Sequence, residues 1–79
     1  MTSEEIFKTM QDLIAEQFAV NADDVTMNSS FEDDLSADSV DLVELVMSLE
    51  EHYDIVLTDD KTANVRTVGQ VVNMLEQFA

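Results

Sequence analysis

Asp38-Ser39 stands where a loop gives way to the helical run Val40-Asp41-Leu42-Val43-Glu44-Leu45-Val46-Met47-Ser48-Leu49-Glu50-Glu51, a place where a serine hydroxyl is open to covalent chemistry. The first turn of a helix leaves backbone N–H groups without intrahelical partners, and the aligned peptide dipoles make that end positive. Phosphate is well received there. A hydroxyl at such a junction can therefore carry a phosphodiester. Serine before a helix is in most proteins a cap, its oxygen committed to a backbone N–H. Here Asp38 offers an equally good cap, which leaves Ser39 free. Asp38 has a second use as well, in orienting an attacking group or a cation for an enzyme that acts on Ser39.

The helix that follows has two apolar stripes. At ~100° per residue, Leu42, Leu45, Val46 and Leu49 share one face, and Val40, Val43 and Met47 lie nearly opposite, with Glu44 and Glu51 beside them. One stripe is enough to join a small core. The second asks for another use, and a docking partner is the natural one. Asp41, Glu50 and Glu51 extend an acidic border around it. A run of acid is ordinarily just a solvated face. A hydrophobic centre inside a charged rim is instead the anatomy of a transient protein interface. Partners for such a face carry Lys and Arg and associate quickly and salt-sensitively.

Other chemistry is poorly supplied. There is no cysteine, hence no disulfide framework and no thiolate zinc site. His52 is the single histidine, and the helix places it roughly 20 Å along the axis from Ser39, too far for a nucleophile–base pair. A calcium loop counted from Asp34 has Ser39 where glycine belongs and Leu45 where the bidentate glutamate belongs. No metal site is expected, and the chain is not expected to be an enzyme.

These residues need a scaffold to hold them. Thr2 and Glu5 have the spacing of a capping box, and Ile6, Met10, Leu13, Ile14 and Phe18 recur at helical intervals behind them. This predicts a first helix over about 3–19. From Val20 to Asp38 the period is lost, but Val25, Met27, Phe31 and Leu35 are spaced to anchor a long loop over the bundle; Ala22-Asp23-Asp24-Val25 is alternatively a short helical turn. The second helix is predicted over Ser39 to about Tyr53. Ile55-Val56-Leu57 is too brief for a strand, and Thr58-Asp59-Asp60 reads as the start of a short third helix reaching about Asn64. Thr67 opens the last helix, with Gln70 at capping-box distance and Val68, Val71, Val72, Leu75 and Phe78 facing inward. The expected architecture is all-α: a small four-helix bundle of three main helices and a short third one, with a long loop between the first two.

At 79 residues the chain is expected to be one domain over 1–79. One glycine and no proline favour helices over short strands. Eighteen acidic residues against three basic ones give a formal charge of −15, a surface that repels nucleic acid and anionic membrane. The start, Met1-Thr2-Ser3-Glu4-Glu5, lacks a basic segment followed by an apolar run, and no apolar stretch has bilayer length; a cytoplasmic monomer without membrane insertion is the expectation.

The segment Asp34 to Glu51, DLSADSVDLVELVMSLEE, resembles the prosthetic-group attachment region of the acyl carrier protein family, in its bacterial fatty-acid form, almost position by position. The likeness extends over the whole chain through its length, its acidity, Phe31-Glu32-Asp33-Asp34-Leu35 upstream and Thr67-Val68-Gly69 downstream. The resemblance implies that Ser39 carries 4′-phosphopantetheine, donated from coenzyme A by a separate phosphopantetheinyl transferase, and that acyl groups ride on its thiol as thioesters. It implies that Asp38, Val40, Asp41, Val43, Glu44, Met47, Glu50 and Glu51 form the face read by the transferase and by fatty-acid synthesis enzymes and acyltransferases with basic docking patches. Phe31, Leu45, Val46, Leu49, Leu57, Val65, Val71, Val72 and Met74 are the candidates for a groove that shelters the acyl chain. Carriers of polyketide, lipopeptide or D-alanine pathways share the attachment motif, and an unmodified acidic helical interaction module is the alternative from another class. Two positions depart from the family pattern: Ser36 stands where glycine is common, and Val40 where leucine usually follows the serine.

Overall fold

Three capping boxes start the three long helices. The computed structural model describes residues 2–78; Met1 and Ala79, the ends of the expected single domain, lie outside the described residues. Helix α1 (Ser3–Phe18) begins with the Thr2 hydroxyl accepting the Glu5 N–H at 3.2 Å while the Glu5 carboxylate accepts the Thr2 N–H at 3.0 Å. That backbone bond from Thr2, with the Thr2 hydroxyl behind it, holds the Glu5 carboxyl below the usual carboxylate range. Asp38 with Asp41 opens α2 (Ser39–Tyr53), and Thr67 with Gln70 opens α4 (Val68–Glu76). Each box satisfies two backbone donors that the helix cannot satisfy itself.

Between α2 and α4 lies α3 (Asp59–Thr62), a single turn. It stops short of Asn64, the end expected for it. It buries no residue and its Thr58 cap makes no side-chain hydrogen bond, so nothing rewards extension of a costly helical nucleus. The Lys61 ammonium lies 5.2 Å from the centre of the Phe78 ring, a side-chain tie between α3 and the residues that follow α4.

The core is built from the inward stripes. Ile6, Met10 and Ile14 of α1 meet Val68, Val71, Val72 and Leu75 of α4, and Leu45 and Leu49 close it from α2. α1 packs chiefly along α4 and crosses α2 over a shorter length. No strand forms among the described residues, and Ile55-Val56-Leu57 is extended connection.

The 20–38 segment holds its place through anchors and backbone bonds. Its only helical piece is a 3-10 turn at Ala22–Asp24, close to the alternative drawn from Ala22-Asp23-Asp24-Val25. Val25 and Phe31 are buried, whereas Met27 stays partly exposed. Gln11 reaches from α1 to donate to the carbonyls of Ala22 and Val25 at 3.1 and 2.9 Å. The loop then runs antiparallel past the start of α4: Phe31 N–H donates to the Arg66 carbonyl at 3.1 Å, Val68 N–H to Ser29 at 3.0 Å, and Gly69 N–H to Met27 at 2.8 Å. Buried backbone polar groups need such partners, and these bonds supply them without a sheet. The loop is thereby part of the packed structure.

Candidate functional site

Ser36 turns the chain into α2. Its φ is 53°, in the left-handed region, and the residue after it, Ala37, is buried with its N–H donating to the Phe31 carbonyl at 2.7 Å. The departure from glycine at position 36 thus falls on a backbone conformation that costs an L-residue about 1–2 kcal/mol. Ser36→Gly is expected to stabilise the fold by about 1 kcal/mol, the relief of strain being partly offset by the greater freedom of glycine in the unfolded chain. Urea unfolding measures this; an unchanged or lower midpoint would show that the turn carries no strain.

Beyond that turn Asp38 caps α2. Its Oδ1 accepts the Asp41 N–H at 2.9 Å, and Asp41 Oδ2 accepts the Asp38 N–H at 3.1 Å. Ser39 is therefore the first residue of the helix with its capping work done by a neighbour, and Asp38, Ser39 and Val40 are all exposed. Gln17 contributes from α1: its Nε2 donates to the Asp41 carbonyl at 2.8 Å and ties the end of α1 to the first turn of α2. Sequence reading passes over Gln17, because a polar residue on a helix gives no sign of which backbone group it will reach.

The outward stripe of α2 is a ridge. Val40, Val43 and Met47 are 63%, 57% and 61% exposed, high values for side chains of that kind. Glu44 and Glu51 flank them in solvent. Asp41 and Glu50, assigned with them to the docking face, are half-buried and engaged within the chain. Asp41 belongs to the capping box, and Glu50 Oε2 accepts the Leu57 N–H at 2.8 Å, fastening the connection after α2. Helical phase alone could not show that engagement.

On one side of the ridge a cavity of about 290 Å³ runs between α2, α3 and α4. It is lined by Phe31, Leu45, Val46, Leu49, Leu57, Val65, Val71 and Met74, all among the groove candidates. Val72 is not in the lining: one residue on from Val71 it has turned ~100°, and it lies wholly buried in the core. Leu42, Val43, Met47, Glu50, Asp59 and Thr62 complete the wall. Val43 and Met47 thus belong to both ridge and cavity rim. Val43 lies one turn past Ser39, roughly 6 Å along the axis, so Ser39 stands near the cavity edge.

An exposed hydroxyl at a helix start, with its cap supplied by Asp38 and no described side chain burying it, fits a phosphate-linked group. Residues 8–75 match the family model described as "Phosphopantetheine attachment site". The acyl carrier protein of Clostridium acetobutylicum is 46% identical over 71 residues, which cover 90% of this chain and 92% of that protein. The chain belongs to the acyl carrier protein family. Another relative, the acyl carrier protein of Exiguobacterium sibiricum, is 43% identical over 96% of each chain. The solved acyl carrier protein of Enterococcus faecalis shares the fold at a TM-score of 0.81 and 32% identity, over 100% of both chains. Members of the family are carriers, not enzymes, and hold a covalently attached phosphopantetheine. The four-helix, strand-free architecture of the described residues is the one these relatives share. No helix among the described residues is long and apolar enough to cross a membrane.

Proposed function

We propose that this carrier bears 4′-phosphopantetheine on Ser39 and serves fatty-acid synthesis in the cytoplasm, as a monomer that presents α2 to a phosphopantetheinyl transferase and then to synthesis enzymes and acyltransferases. The observation that carries the assignment is the exposed Ser39 hydroxyl beside a cap that Asp38 provides in its stead. In a transferase's site the Ser39 oxygen would attack the pantetheine-bearing phosphorus of coenzyme A, forming the new phosphodiester as the diphosphate P–O bond breaks and adenosine 3′,5′-bisphosphate leaves, with the serine proton passing to a base of the transferase. When attached, the arm supplies a thiol that holds acyl groups as thioesters. The chain's own residues do the rest. Asp38 and Asp41 fix the helix start, Gln17 holds it against α1, and Val40, Val43 and Met47 offer an apolar surface to a docking enzyme. Glu44 and Glu51 add attraction for Lys and Arg, which speeds encounter.

The pathway reading rests on the cavity. Its lining is mainly leucine, valine, phenylalanine and methionine, a wall suited to a hydrocarbon chain and poorly suited to a charged D-alanyl group. Its volume lies near the lower end of the roughly 300–1,000 Å³ usual for ligand pockets. One experiment tests both parts. Incubated with coenzyme A and a promiscuous transferase, the wild-type chain should gain the mass of one phosphopantetheine, and Ser39→Ala should gain none. Loading the product with a medium-length fatty acyl group should then raise its Tm, whereas a D-alanyl group should not. Modification of Ser39→Ala would move the attachment elsewhere, and equal Tm values for the two cargoes would remove the fatty-acid assignment.

A further inference from the structure

On the α4 side of the cavity lies a second depression, between the segment that follows α3 and the outer face of α4. Val65 and Met74 line both, so these two half-buried side chains are the partition between them. The depression measures about 280 Å³, and its remaining walls are Lys61, Asn64, Gln70, Asn73 and Gln77. Spacing explains the α4 side: residues 70, 73, 74 and 77 fall at i, i+3, i+4 and i+7 and share one helix face. That face carries amides and a thioether where the opposite one carries the valines of the core.

No carboxylate lines this depression, in a chain with 18 acidic residues and three basic ones. The cavity, by contrast, has Glu50 and Asp59 in its walls, and the hollow between α1 and α2 has Glu16, Glu44 and Glu51. Asp60 and Glu76 adjoin the depression in sequence without lining it. Its cation is Lys61, whose ammonium is steadied over the Phe78 ring and keeps N–H groups to donate elsewhere. Gln70 is oriented by its capping box: Oε1 accepts the Thr67 N–H at 3.0 Å, which leaves the NH2 group as a donor. Amide donors around one positive charge suit a carboxylate.

The net charge of −15 decides how such an anion would arrive. A free anion is repelled by the field of the whole surface. An anion at the end of a chain already seated in the cavity is held beside the depression at high effective concentration, and the tether offsets that repulsion. The chain in turn needs the depression, because a carboxylate left among Leu45, Leu49 and Val71 would be buried without a partner. Met74 is unbranched and flexible, a partition that can swing aside for methylenes.

We propose that the depression beside α4 is a subsite for the distal carboxylate of an ω-carboxyacyl cargo, whose methylene chain passes Val65 and Met74 and whose charge emerges at Lys61 and the α4 amides. The inference deepens the carrier reading and rests on it, since a chain anchored through Ser39 is what delivers the carboxylate there.

The test charges the isotope-labelled apo chain, by a promiscuous transferase, with coenzyme A thioesters of decanoyl, sebacoyl and monomethyl sebacoyl groups. The set is repeated with the dodecanoyl counterparts, and a response at either length counts. The side-chain amide signals of Asn64, Asn73 and Gln77 should move with the free carboxylate and stay near their decanoyl positions with the methyl ester. Lys61→Gln should reduce the carboxylate-dependent shifts roughly twofold or more, the effect of losing one exposed ion pair. Lys61→Arg, which keeps the charge and the ring contact, should retain them. Lys8→Gln, the same charge loss at an exposed α1 position outside the depression, should leave them unchanged. Circular dichroism melts of the variants verify that the fold is kept. Equal movement with all three cargoes, or equal loss in Lys61→Gln and Lys8→Gln, would overturn the subsite and leave the carrier assignment standing. A wild-type chain that gains no mass from any of the thioesters would refute the carrier assignment and this inference together.

Discussion

Leu45→Asp is expected to leave the chain largely unfolded at room temperature, whereas Val43→Asp should keep its fold and lose docking. The two positions lie on one helix and differ in what surrounds them: Leu45 is 2% exposed, Val43 57%. Removing a buried leucine costs about 2–5 kcal/mol in lost transfer energy and cavity, and an unpaired carboxylate in its place adds more. Small domains have stabilities toward the low end of roughly 5–15 kcal/mol, so this single change removes most of the margin. At Val43 the new carboxylate stays in water and the cost is about 0.5 kcal/mol. What it does disturb is the apolar centre of the ridge and the rim of the cavity. Thermal melts followed by transferase kinetics separate the two effects. If both variants melt alike and react alike, the division of α2 into an inward and an outward stripe is mistaken.

Gly69→Val should destabilise the fold by about 2–3 kcal/mol, with Gly69→Ala about half as costly. A Cβ at this glycine would lie 2.9 Å from the Met27 carbonyl oxygen, the same oxygen that accepts the Gly69 N–H at 2.8 Å. The obstacle is backbone, so it cannot swing aside as the end of a side chain would. Overpacking of this kind costs about 1–3 kcal/mol. Alanine recovers part of that through better helix propensity, by up to about 1 kcal/mol, while valine recovers less. The strain should spread along the loop, because Met27, Ser29 and Phe31 are all bonded to the α4 junction, and Phe31 lines the cavity. Chemical unfolding gives the stability. An alanine variant more stable than wild type would show that the loop is free to move away from α4.

The start of α2 was legible because its signals are local. Asp38, Ser39 and Asp41 are within one turn, and a capping box is a contract between residues three apart, written in their types alone. The same holds for Thr2 with Glu5 and Thr67 with Gln70, and these boxes explain why the long helices begin where the spacing predicts. The two stripes of α2 follow equally from period, since helical geometry assigns a direction to every residue. The short reach of α3 was less legible. Its polar residues permit a helix of several lengths, and only the absence of anything to bury there decides for one turn.

Residue order by itself determined the helices, their starts, the freedom of the Ser39 hydroxyl from capping and the existence of an apolar face without an internal purpose. The tertiary structure alone decided that Glu50 bonds to Leu57, that Gln17 grips Asp41, that Val72 turns into the core while Val71 lines the cavity, and that Val65 and Met74 divide the cavity from a depression free of acid. The physical reason is one of range. Capping and periodicity act over a single turn and depend on residue type, whereas the partner of a long side chain and the width of a gap depend on how rigid helices come to rest against one another.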